Sequence, residues 1–77
     1  MPTATTTPGE RLEKARVRAG LTVVTLAALS GVNYTTIHRA EANKRGLGAG
    51  TLRVIAETIA SNSDRPLGEV LEELTRP

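Results

Sequence analysis

The 77-residue chain is long enough for one domain, and with 39% hydrophobic and 23% charged residues its balance is that of a globular domain rather than a disordered tail. The absence of cysteine and the single histidine exclude a disulfide scaffold, a thiolate zinc site, a cysteine nucleophile and a multi-histidine metal centre, and no apolar run approaches the ~18 residues of a membrane span. The net charge of +2 is unevenly spread: Arg11 to Arg53 carries eight bases against two acids, and Val54 to Pro77 two against five. That distribution suits a polyanion-binding face with a separate acidic side, and it also suits an ordinary solvated surface. With Tyr34 the only aromatic, the core has to be Leu, Val, Ile and Ala, which favours small, closely packed helices.

Residues 1–7 are small and Thr-rich and are expected to be flexible. They lack the basic start and apolar stretch of a secretory signal, so a soluble, cytoplasmic protein is expected. Thr7-Pro8-Gly9-Glu10 reads as a helix start: Thr7 can accept from the Glu10 amide, Glu10 can reach back, and the missing N–H of Pro8 costs nothing there. This helix is expected to run to about Ala19, with Leu12, Ala15 and Ala19 on one face. Gly20 supplies the left-handed residue that ends it, and Leu21 packs just beyond. Thr22 caps a second helix, Val23–Leu29, ending near Ser30-Gly31. Asn33 caps a third, about Tyr34–Ala42. Asn43 to Gly50 holds three glycines and two bases and reads as a loop. A fourth helix, about Ala49–Ala60, places Leu52, Ile55, Ala56 and Ile59 at helical spacing. Ser61–Arg65 reads as a polar turn. Pro66 starts a fifth helix with Leu67, Val70, Leu71 and Leu74 at the same spacing, and Glu69, Glu72 and Glu73 on its solvated face. No stretch alternates for long enough to make a strand, so the expected fold is all-α, with five short helices.

The segment Leu26-Ala27-x-x-x-Gly31-Val32, followed by Ile37 and Ala40, meets the requirements of a helix-turn-helix. Two helices joined by a tight turn need a small residue where they cross (Ala27) and a residue tolerant of positive φ in the turn (Gly31). Leu26, Val32 and Ile37 then fill the wedge between them. The second helix of such a pair enters the DNA major groove.

Further stretches extend the likeness: Gly9-Glu10-Arg11-Leu12, Arg16-x-x-x-Gly20-Leu21-Thr22, Thr36-Ile37-x-x-x-Glu41, Thr51-Leu52 with Ala56, and Leu67–Leu71. From Gly9 to Leu74 the chain resembles the lambda-repressor/Cro (Xre-type) helix-turn-helix family. The resemblance implies a compact five-helix DNA-binding domain over residues 8–77, with the helix-turn-helix in helices two and three. It also implies binding to a double-stranded, palindromic operator as a homodimer. Four positions depart from the family pattern: Val23 and Val24 where polar residues are usual, Ser30 where an apolar residue is usual, Asn43 where glycine often ends the recognition helix, and Leu47 where proline is common.

By carry-over of the motif, Tyr34, Thr35 and Arg39 are the candidates for base contacts. Arg39 can pair with guanine O6 and N7, and Thr35 can offer a hydroxyl or a methyl group. Tyr34 has a second reading, as a partly buried staple beside Asn33. Asn43, Lys44 and Arg45 are candidate phosphate contacts, with Thr22 at a helix N-terminus, Thr51 in a similar position, and His38, whose alternative is a bystander on the surface. Arg16 and Glu41 occupy family positions that resemble a half-buried ion pair joining helix one to the end of helix three. Arg11, Lys14 and Arg18 are expected to face solvent. Val23 and Val24 have no evident core duty, so Val23 is assigned to a thymine methyl, or the two valines to a protein partner. Leu67, Val70, Leu71 and Leu74 are the candidate dimer interface, or else simply core.

The expected function is a small transcriptional regulator acting by operator occupancy, with no cofactor and no metal. The rival is a protein-interaction module, such as a stand-alone antitoxin or anti-repressor. An enzyme is disfavoured because the composition holds no nucleophile–base pair, carboxylate dyad or metal cluster.

Overall fold

Caps and stops written in the sequence set the helix ends. The computed structural model describes residues 7–75, and among them the chain forms five helices and no strand. Helix α1 (Pro8–Arg18) starts where Thr7 Oγ1 accepts from the Glu10 amide at 3.1 Å and the Glu10 carboxylate accepts from the Thr7 amide at 3.2 Å. Its end is a Schellman turn: Gly20 has φ 75°, the Leu21 amide donates to the Arg16 carbonyl, and the Leu21 side chain is buried. Helix α2 (Val23–Ser30) is capped by Thr22 and stops at Gly31, also at φ 75°.

Helix α3 (Tyr34–Glu41) is capped by Asn33, whose side-chain oxygen accepts from the Thr35 amide at 2.7 Å. It closes on a second Schellman turn in which Asn43, at φ 61°, takes the left-handed place usually given to glycine. Asparagine tolerates that conformation better than other non-glycine residues, which accounts for this departure from the family pattern.

Helix α4 (Ala49–Ser63) runs three residues past its expected end at Ala60. The polar residues read as a turn lie on the helix instead. Asn62 Nδ2 donates to the Thr58 carbonyl at 2.8 Å and Ser63 Oγ to that of Ile59 at 2.6 Å. Left-handed Asp64 (φ 54°), followed by Pro66, makes the actual stop. The Pro66 carbonyl accepts from the Val70 amide at 3.2 Å, so this proline precedes α5 (Leu67–Thr75) rather than opening it.

Leu26, Ile37, Ile55, Ile59 and Val70 are fully buried, and Leu12 and Ala15 bring α1 into the same core. Helix α4 packs on α5 and α2, while α1 packs on α3 and α5.

Three surface expectations are corrected by this packing. Val70 and Leu74 are core residues, 0% and 5% exposed, because the periodic face of α5 is spent on α1 and α4; only Leu67 and Leu71, partly buried, remain for a dimer interface. Glu73 is not part of a solvated face: its side chain lies between Arg65 (2.6 Å) and Arg18 (3.3 Å). Arg11 is half-buried and points its Nε at the Leu74 carbonyl near the end of α5. Of the segment expected to be flexible, residues 1–6 lie outside the described residues, and Thr7 belongs to the cap of α1.

Candidate nucleic-acid interface

The α2–turn–α3 unit is wedged together by Leu26 and Ile37, both fully buried, with Ala27 and Val32 packed against the same core. Ser30, half-buried at the last position of α2, accepts from the Val32 amide at 3.2 Å, so a hydroxyl fits where an apolar side chain is usual. Burial of Ile37 and Ala40 fixes which side of α3 faces out. Tyr34, Thr35, His38 and Arg39 occupy that outer side and are all exposed. The structure thus gathers these four candidates on one helical face. Tyr34 is 47% exposed, and its ring stacks on that of His38 rather than acting as a staple at Asn33. Among the described residues the Arg39 guanidinium makes no hydrogen bond.

Two fastenings hold α3 against α1. Arg16 grips Glu41 in a two-pronged ion pair, Nε–Oε2 at 2.7 Å and Nη2–Oε1 at 3.0 Å, and its Nη1 donates to the Leu21 carbonyl at 2.9 Å. Both side chains are largely buried, 12% and 10% exposed. The hydrogen bonds to Glu41 outweigh the burial and push the Arg16 guanidinium still further toward its charged form.

The second fastening was not foreseen from sequence. The Gly9 amide donates to Asn43 Oδ1 at 2.9 Å, and Asn43 Nδ2 donates to Thr7 Oγ1 at 2.9 Å. One side chain therefore satisfies an unpaired amide in the first turn of α1 and extends its cap. The backbones approach so closely that a Cβ on Gly9 would lie 2.7 Å from the Ala40 carbonyl oxygen and closer still to that of Glu41. A glycine inside the first helical turn, where it costs stability, was the available signal.

The cations that follow α3, Lys44 and Arg45, are exposed. Asn43, grouped with them as a phosphate contact, has its amide engaged with α1, and one N–H of that amide remains for any phosphate. Thr22 spends its hydroxyl internally, accepting from the Thr25 amide at 3.0 Å and donating to Thr25 Oγ1 at 2.9 Å. The groups left to meet an anion there are the first-turn amides of α2. Thr51 is half-buried in the first turn of α4.

The expectation that Val23 has no core duty is corrected. It lies three and four residues before Leu26 and Ala27, on the inward side of α2, and packs partly into the core. Val24, 65% exposed, is the valine turned outward.

No helix of the described residues is long and apolar enough to cross a membrane. Against known families, a model described as Helix-turn-helix matches residues 12–65, from Leu12 of α1 to the turn before α5. No curated protein matches the chain.

Proposed function

The chain belongs to the Xre/lambda-repressor-type helix-turn-helix family of DNA-binding transcription regulators, and from that premise we propose that it is a Cro-like repressor acting by operator occupancy. The observation that carries this reading is the outer face of α3, where Tyr34, Thr35, His38 and Arg39 stand exposed on a helix held from behind by Arg16–Glu41 and Gly9–Asn43. Side chains that read base edges need a rigid mount, since a loosely held helix would lose the geometry of a two-pronged contact.

In this reading residues 8–77 form the DNA-binding domain. Arg39 and Thr35 select bases, Tyr34 adds a contact, and Lys44, Arg45 and the first turn of α2 hold phosphates. Two copies meet on a palindromic operator in the cytoplasm, using Leu67 and Leu71. Occupancy then obstructs polymerase.

The test is a titration by fluorescence anisotropy onto labelled upstream DNA and onto a scrambled duplex, at two salt concentrations. Tight binding to the native duplex alone is expected, with a log–log salt slope of about −0.9 per phosphate neutralised. Equal, weak binding to both would count against the repressor reading. A protein-partner reading draws on Val24 and Leu29, 65% and 55% exposed on α2. Capture of a host protein that is lost in Val24→Gln, combined with DNA binding indifferent to sequence, would favour it.

A further inference from the structure

Tyr34 and His38 stack with ring centroids 5.9 Å apart and planes 16° from parallel, within the range of an offset aromatic pair. They stand one turn apart on the outer side of α3, and both are exposed, so the pair does not fill the core. Tyr34 is the first residue of α3, where no preceding turn of its own helix supports the side chain. An exposed phenol in that place would sample several rotamers and lose that freedom on binding. Side chains in a helix lean toward its N-terminus, which carries the His38 ring back over Tyr34. Phosphate contacts have other donors nearby in the chain, Lys44 and Arg45, both exposed.

We propose that His38 is a positioning residue for base recognition: its ring pre-orders the Tyr34 phenol against one base pair, instead of binding phosphate itself. The inference rests on the DNA-reading role of α3. It assigns the specificity of one operator position to a pair of side chains rather than to Tyr34 alone.

The test compares the wild type with Tyr34→Ala, His38→Ala, the two combined, His38→Phe, His38→Lys and Arg39→Ala on a panel of operator duplexes carrying every single base-pair change. Helical circular dichroism and Tm serve as folding controls. Tyr34→Ala and His38→Ala are expected to flatten the preference at the same base pair, by about tenfold. Combining them should add little further loss, because both remove one interaction. His38→Phe should restore the preference and His38→Lys should not. If His38→Ala instead weakens all duplexes evenly and His38→Lys restores that loss, His38 is a phosphate ligand and the proposal fails. It fails as well if His38→Phe does not restore the preference, or if Tyr34→Ala leaves every position unchanged while Arg39→Ala does not. A wild-type protein with no preference among the duplexes would overturn the DNA-reading function itself, and this inference with it.

Discussion

The guanidinium of Arg39 and the ammonium of Lys44 are both exposed, yet they are expected to respond to different variables. Arg39→Ala should cost about 1–3 kcal/mol of discrimination at one base pair and leave the salt slope nearly unchanged. Lys44→Ala should weaken all duplexes alike and reduce the slope by about 0.9, and the titration at two salt concentrations reads both effects. Gly9 is a residue of another kind, since its importance is the absence of a side chain. Gly9→Ala puts a Cβ against the α3 carbonyls, so a loss of ~1–3 kcal/mol is expected in urea unfolding at unchanged m-value. At this scale the sequence was partly legible. The outward side of α3 followed from the burial of Ile37 and Ala40, which spacing reveals. The inward turn of Val23 did not, because β-branched residues at a helix start look alike whether they face core or solvent.

Between elements, the decisive links are the two that bind α1 to α3. Arg16→Ala strands Glu41 in a largely buried site, and a loss of ~3–5 kcal/mol is expected from thermal or urea unfolding. The paired change Arg16→Met with Glu41→Leu should recover much of that loss, because the cost lies in the uncompensated charge. An Arg16→Ala protein with unchanged Tm would refute this account of the seam. Asn43 offers a second separation. Asn43→Gly keeps the left-handed turn and loses only the bonds to Gly9 and Thr7, for about 1–3 kcal/mol, whereas Asn43→Ala also strains the backbone and should cost ~1–2 kcal/mol more. Helix starts were legible because Thr7, Thr22 and Asn33 announce them locally. The end of α4 was not, since Ser61-Asn62-Ser63 has the composition of a turn and becomes helix only when its side chains bond back to the preceding carbonyls. The Gly9–Asn43 link spans 34 residues, a separation over which local pattern carries no information.

For the molecule as a whole, size governs the response to damage. A core this small supplies only a few kcal/mol, while Ile59→Ala removes ~2–5 kcal/mol from a fully buried site. Thermal circular dichroism is therefore expected to find this variant substantially unfolded at 37 °C. Amphipathic spacing showed that Val70 and Leu74 would be covered. It could not say whether a second copy or the chain's own α1 and α4 would cover them. The charge asymmetry also changes character once folded, because Arg65 and Arg18 draw Glu73 into ion pairs and part of the acidic end is neutralised internally. The exposed bases on and just after α3, Arg39, Lys44 and Arg45, lie outside these pairs, which favours oriented approach of that side to a polyanion. The hydrogen bond from the Gly9 amide to Asn43 makes that amide a natural gauge. Its proton exchanges with solvent only when the bond to Asn43 breaks, so its protection in heavy water, alone among the first-turn amides of α1, reports the free energy of loosening the turn that ends the recognition helix from α1.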